Sequence, residues 1–203
     1  MGLYSDHLRP RLHDLTLSDR ITGAVRRSVC AGLSGDVLEI GYGSGLNQPH
    51  LPSSVTGVWA VEPSATALRL GEERRAESPV PVVVAGDDAQ SLPFPDDRFD
   101  AGLCTWVLCG IPDPGAALAE MARVLKPGAA LHFVEHGLAP EPGVVRWQRR
   151  GNPINRLVAG CVLDNDVRGL LDRSPLTVTA LDCWYHDGAP KVAGYMYRGR
   201  ATA

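Results

Sequence analysis

The sequence predicts an α/β fold: a mostly parallel sheet with helices on both faces, closed at one edge by an antiparallel C-terminal hairpin. Three observations lead there. Short apolar runs rich in β-branched residues alternate with longer segments whose apolar residues recur at helical spacing, the rhythm of strand and crossover helix. The runs are nearly continuous in apolar residues, as expected of strands covered on both faces. Near the C-terminus the alternation stops, and two strand-like runs follow each other across a turn.

In chain order, residues 1–34 read as an N-terminal helical segment. VLEI (37–40), GVWAVE (57–62), VPVVVAG (80–86), FDAGLC (99–104) and ALHFVE (130–135) read as strands buried on both faces. Between them, residues 64–77 and 113–126 place apolar side chains at helical spacing, with Pro114 near the start of the second helix and Pro127-Gly128 as its stop. After residue 137 a loop, LAPEPG, leads to a long arginine-bearing segment. LTVTALDCWY (176–185) and KVAGYMYRGRA (191–201), joined by HDGAP, form the closing hairpin. No linker-like shift in composition divides the 203 residues, so one domain is expected, with a core at 35–136 and an acceptor-side helix and hairpin at 137–203.

Composition narrows the function. A net charge of −3 gives no basic field for a nucleic-acid partner, so a small molecule is expected. Five cysteines without a CxxC pair do not suit a disulfide framework and fit a reducing cytoplasm. The N-terminus has charges and prolines where a signal peptide needs an apolar stretch, and no run is long enough to span a membrane.

The stretch VLEIGYGSGLN (37–47) places three glycines directly after the first strand, where an open α/β sheet contacts its ligand. Their spacing is GxGxG, with Leu46 where a dinucleotide fingerprint would carry its third glycine. Glu39 just inside the turn suits a cation better than a diphosphate. S-adenosyl-L-methionine has no phosphate and carries a sulfonium and an amino group. Glu62 ends the second strand, placed to accept ribose hydroxyls, with a solvated loop acid the alternative when it is taken alone. After the third strand, Asp88 can accept from an adenine amino group while the Ala89 N–H meets a ring nitrogen.

In this order, ExGxGxG, the acid after the second strand, DA…LPF, FD and RVLKPG resemble class I S-adenosylmethionine-dependent methyltransferases of the type 11 domain. GSGLNQPHLP, WVLCGIPDP, FVEHG and WQRRGNPINRLVAGC are similar to the thiol S-methyltransferase-like branch. The resemblance implies a Rossmann-like, seven-stranded sheet. It implies cofactor contacts at Glu39, Gly41, Tyr42, Gly43, Gly45, Glu62, Pro63, Asp88, Ala89 and Thr105. Two departures stand out: the chain starts at what reads as the first soluble helix, without the apolar anchor of membrane-associated members, and VLDNDV follows Gly160-Cys161 where that branch has an Arg-Asp-Thr-like stretch.

The expected activity is methyl transfer to a small molecule, with a thiol or similarly soft nucleophile favoured. The alternatives are O-, C- or N-methylation of a phenol, quinone or lipid, or a cofactor-binding module without catalysis. His136, ending the fifth strand beside Glu135, is the candidate general base. It reads equally as a structural histidine bonded to a loop carbonyl. Arg146, Trp147, Arg149, Arg150 and Arg156 read as a solvated helix face, with steering of an acidic acceptor or peripheral lipid contact the less favoured reading. Trp106, Trp147, Trp184 and Tyr185 are either core or the wall of an acceptor pocket. Cys104 and Cys109, having no histidine or CxxC partner in sequence, read as buried thiols, and no metal site is expected.

Overall fold

The computed structural model describes residues 4–203; residues 1–3 of the N-terminal segment lie outside the described residues. After a π-helical turn (Tyr4–Leu8), the chain forms α1 (Arg9–Thr16), α2 (Asp19–Cys30), β1 (Gly35–Ile40), β2 (Val55–Val61), α3 (Ala65–Leu70), α4 (Glu72–Glu77) and β3 (Val82–Gly86). There follow β4 (Phe99–Thr105), α5 (Pro114–Val124), β5 (Leu125–His136), α6 (Pro142–Val158), α7 (Val167–Asp172), β6 (Thr177–Tyr185), α8 (Lys191–Gly194) and β7 (Tyr195–Thr202).

Seven strands make one sheet in the order β3-β2-β1-β4-β5-β7-β6. The first five are parallel, and β7 runs antiparallel between β5 and β6. The C-terminal hairpin therefore inserts its second strand against β5 and leaves its first at the edge. Alternate residues of β1 serve opposite layers, because side chains of a strand alternate in direction. Leu38 and Ile40 join the core with Leu118 and Met121 of α5 and Leu171 of α7. Val37 joins the other with Val29 and Cys30 of α2.

Four sequence expectations are corrected by packing. The segment 64–77 is two short helices broken at Gly71, where a Cβ would stand 2.5 Å from the Ser44 carbonyl oxygen. Pro127-Gly128 lies within β5, which begins at Leu125 directly after α5. Residues 191–194 form a helical turn, so the last strand starts at Tyr195. The third strand is not covered on both faces: as the sheet edge it leaves Val83 and Val84 50% and 45% exposed.

Asp113 caps α5 by accepting from the Ala116 N–H at 3.0 Å, with Pro114 in the first turn. Helix α6 contains Pro153, and asparagines before and after that interruption tie down the following loop. The Asn152 amide donates to Asp164 at 2.6 Å, and the Asn155 amide donates to the Cys161 carbonyl at 2.9 Å. Among the described residues no helix is long and apolar enough to cross a membrane.

Candidate active site

Chain order reverses at β1: β2 and β3 extend the sheet one way, β4 and β5 the other. The crevice beyond the carboxyl ends of β1 and β4 is where such a sheet accepts a ligand. Two loops meet there, 41–47 after β1 and 106–110 after β4. They pack so closely that a Cβ on Gly41 would lie 2.2 Å from a methyl of Val107.

Gly43 has a different reason to be glycine. Its φ is +60°, yet an added Cβ would meet nothing nearer than the Gly41 oxygen at 3.9 Å. The position faces open space with its backbone bare, which lets a ligand come close. The Gly43 N–H is held by Glu62 Oε2 at 2.7 Å, and Glu62 Oε1 accepts from the Ser64 N–H at 2.8 Å. Glu62 thus fixes the glycine loop and the start of α3, and each oxygen keeps a lone pair for a further donor. Burial raises its pKa, opposed by those two N–H bonds. The N-terminal segment holds the loop from its other side. Asp14 of α1 accepts from Ser44 Oγ at 2.6 Å and from Arg74 at 2.9 Å, and Arg74 also donates to the Ser44 carbonyl.

Beneath the loop lies a buried polar network. The Asn47 amide nitrogen donates to Glu39 Oε1 at 2.7 Å and Thr105 Oγ1 at 3.0 Å, while its oxygen accepts from Arg26 at 2.6 Å. The Arg26 guanidinium lies 4.8 Å over the Trp106 ring, and its pKa is lowered to about 10 by burial. Burial likewise pushes Glu39 up to about 7, against the opposing Asn47 bond and Arg26 charge. Glu39 Oε2 and Trp106 Nε1 are buried without a partner. Trp106 also adopts φ +54°, a region that bulky residues seldom enter. Orphaned polar atoms and a strained residue beside an open glycine loop mark a place that a polar, cationic ligand completes. Replacing Asn47 with Ala leaves Glu39 and Arg26 without their shared partner. It should cost roughly 2–4 kcal/mol and lower Tm by about 5–15 °C in scanning calorimetry. An unchanged Tm would show the network to be ornamental.

The remaining expected contacts spread along the carboxyl ends of β2 and β3. Pro63 is exposed beside Glu62, and the Glu62 N–H donates to the Gly86 carbonyl at 3.0 Å, tying the two strand ends together. Asp88 is exposed; its Oδ1 accepts from the side chain and backbone of Gln90, which hold its carboxyl below the usual range. Ala89 packs against the core. Tyr42 is buried, and its ring lies where a Cβ on Gly45 would fall. The structure therefore brings Glu39, Gly41, Tyr42, Gly43, Gly45, Glu62 and Thr105 together, with Asp88 and Ala89 farther along the same edge.

On the other side of the loop after β4 stands His136, at the end of β5. It is not bonded to a loop carbonyl. Its Nε2 lies 3.1 Å from Cys109 Sγ and 3.6 Å from Cys161 Sγ, while Nδ1 is buried without a partner. The reading of Cys109 as a thiol lacking a histidine partner is therefore corrected: the fold supplies one from β5. Cys104 is a buried thiol as expected, donating to Glu135 Oε1 at 3.3 Å. That same oxygen accepts from the N–H groups of Val107 and Leu108, so Glu135 shapes the loop. The neighbouring Cys109, with His136 and Asn155, holds Cys161 below the ordinary thiol value despite burial, while Cys109 is raised well above it.

The aromatic candidates separate. Trp106 lines the site, whereas Trp147 is 62% exposed on α6 under Arg150. Trp184 carries Arg198 over its ring, and Tyr185 donates to Glu141. Arg146, Arg149 and Arg150 border a shallow hollow with Leu138, Pro140 and Val145, away from the glycine loop. Sequence reasoning missed Arg26, Asn47 and Cys161. Asn47 carried a signal, standing two residues after Gly45 in the same loop. Arg26 and Cys161 reach the site only through folding.

A seven-stranded sheet with this order, a GxGxG turn at its reversal point and acids at the ends of β1 and β2 give the arrangement expected from the resemblance to class I methyltransferases. Residues 38–133 match the family described as a methyltransferase domain. A thiol S-methyltransferase of Rattus norvegicus is 29% identical over 160 residues, covering 74% of this chain and 64% of the relative. A ubiquinone/menaquinone biosynthesis C-methyltransferase of Chromobacterium violaceum is 38% identical over 85 residues, covering 42% and 35%. This chain thus spans less than two thirds of the length of either curated relative. A geranyl diphosphate methyltransferase, solved in complex with S-adenosylmethionine, shares the fold at a TM-score of 0.69 and 15% identity, covering 90% of this chain and 86% of that one.

Proposed function

We propose that this chain binds S-adenosyl-L-methionine and transfers its methyl group to a small-molecule thiol or similarly soft acceptor. The observation that carries the cofactor reading is Glu39: a fully buried carboxylate with one oxygen unpartnered, beside a glycine loop that lies open at Gly43. A cation satisfies that oxygen, whereas a diphosphate meets repulsion. The thiol reading is supported by the likeness to a thiol methyltransferase along 74% of the chain, against 42% and 61% for two quinone-type relatives. A cytoplasmic setting, with no nucleic-acid partner, suits the free cysteines and the net charge of −3.

The bound cofactor supplies a methyl group already made reactive by its positive sulfur. The protein then has to place the acceptor. Holding the reacting atoms in near-attack geometry is worth about 7–11 kcal/mol of barrier. Glu62 and the Gly43 backbone orient the ribose, Asp88 and Ala89 the adenine, and Glu39 with Asn47 the amino acid end. An ordinary thiol, with a pKa of about 8.5, is only a few per cent thiolate at neutral pH, so help with ionisation raises the rate. His136 is at the end where that help is needed.

Calorimetric titration should show binding of S-adenosylmethionine and of its demethylated product, and none of NAD; tight NAD binding would end the cofactor reading. A panel of thiols, phenols, quinones and lipid amines, read by mass spectrometry, should give methylated thiols. Methylation of a phenol or quinone alone moves the acceptor to the alternative class. Cofactor binding with no product from any acceptor favours a binding module.

A further inference from the structure

Cys109, His136 and Cys161 come from three separate parts of the fold: the loop after β4, the end of β5 and the loop after α6. Their ligand-type atoms all lie within 4.8 Å of one another. We infer that these three side chains form a binding site for one soft divalent cation of the zinc type, with a fourth position open to the acceptor. The identity of the acceptor as a thiol rests on the function proposed above; the cation site does not.

Geometry is the first support. With zinc–sulfur distances of about 2.3 Å and zinc–nitrogen distances of about 2.0–2.1 Å, a sulfur and a nitrogen in a tetrahedral set stand about 3.5 Å apart. The two sulfur–nitrogen separations here are 3.1 and 3.6 Å, with all three ligand atoms within 4.8 Å of one another. The donor set is the second. Two thiolates and an imidazole select zinc-like cations over magnesium or calcium, and three protein ligands with one free position are the pattern of zinc sites that bind a reactant. The third support is the surrounding structure. Asn155 donates to Cys161 Sγ at 3.2 Å and to its carbonyl, and the Val162 N–H donates to the Cys109 carbonyl at 3.3 Å. These bonds hold both cysteine loops against each other without a disulfide. Glu135, buried one residue before His136, has Oε2 without a partner, and burial raises its pKa to about 7.

The chemistry balances without an oxidant. Cation binding releases to solvent whatever protons Cys109, Cys161 and His136 still carry. An acceptor thiol entering the fourth position loses its proton to solvent as well and keeps a sulfur lone pair. That pair forms the new bond to the methyl carbon, and the carbon–sulfonium bond breaks toward the departing neutral thioether. His136 then aids ionisation by ligation, in place of acting as a free base.

The test uses the full chain, purified under reducing conditions and freed of metal by a chelator. Loaded with Zn2+ and dialysed, it should retain one zinc per chain by elemental analysis. Titrated with Co2+, it should develop thiolate-to-cobalt charge-transfer absorption, which shifts on addition of a small thiol but not of the matching alcohol. Cys109→Ser, Cys161→Ser and His136→Ala should each weaken zinc binding by more than about 100-fold, and Asn155→Ala by about 10- to 100-fold. Retained S-adenosylmethionine binding in calorimetry identifies variants that still fold. Substoichiometric zinc in the reduced wild type, unchanged zinc affinity in a folded Cys161→Ser, or a cobalt spectrum indifferent to thiol would each overturn the inference. None of these readouts requires turnover, so the cation site can fail while methyl transfer stands, and the reverse.

Discussion

Glu62→Ala should weaken S-adenosylmethionine binding by about 10- to 100-fold or more while the protein stays folded. In the structure Glu62 makes two backbone bonds, to the Gly43 and Ser64 N–H groups, at 2.7 and 2.8 Å. Each carboxylate oxygen can accept once more, and a ribose presents two neighbouring hydroxyls. Charge-assisted hydrogen bonds are worth about 1.5–3 kcal/mol, so losing even one accounts for at least a tenfold change. The alanine variant also frees the Gly43 N–H, and the loop loses the anchor that holds it ready. Glu62→Gln should do little better. Its amide offers one acceptor and one donor, and the donor faces a backbone N–H whichever way it turns. Isothermal titration of both variants, with circular dichroism as the folding control, checks this. A dissociation constant within twofold of wild type in either would return Glu62 to the class of ordinary loop acids.

The same residue shows why half of the site was legible. Glu62, the three glycines and Asp88 sit in short loops immediately after strands, so reading the strands correctly locates them. The strands themselves were legible because β1 and β4 lie in the sheet interior, where both faces demand apolar residues. Edge strand β3 carries the same valine-rich pattern yet leaves two valines exposed, since apolar composition does not report what covers it. The break at Gly71 was illegible for a related reason. Its cause is the Ser44 carbonyl, which arrives from a distant loop. The acceptor end combines both difficulties: Cys109 and Cys161 stand 27 and 25 residues from His136, on different elements, at spacings that match no motif. Only the fold makes them neighbours.

Glu39→Gln should separate stability from function in opposite directions. Glu39 is 1% exposed, and desolvation raises its pKa to about 7, with the Asn47 hydrogen bond and the Arg26 charge opposing the rise. In the unfolded chain a glutamate titrates near 4.3. Between those values the folded state holds a proton that the unfolded state has lost, so stability falls as pH rises through the window and the full penalty is present by pH 8. A shift of that size corresponds to about 4 kcal/mol. The glutamine variant is neutral at every pH and keeps a carbonyl for the Asn47 amide. Its own NH2 replaces an oxygen that had no partner, which offsets about 1 kcal/mol of the gain. The net expectation is a Tm raised by about 6–12 °C at pH 8, shrinking and then reversing by about 1 kcal/mol below pH 4.5, where wild-type Glu39 is itself neutral. Cofactor binding should move the other way. The variant has no charge to set against the ligand's cationic groups, so affinity should drop at least tenfold. In the wild type, the incoming cation favours the ionised carboxylate. Binding near pH 6 to 7 should therefore release a proton, and affinity should rise with pH across that range. Titrations in two buffers of different ionisation enthalpy measure the released proton directly. A variant less stable than wild type at pH 8, or one that binds the cofactor as well as wild type does, would show that Glu39 is buried for packing and not for the ligand.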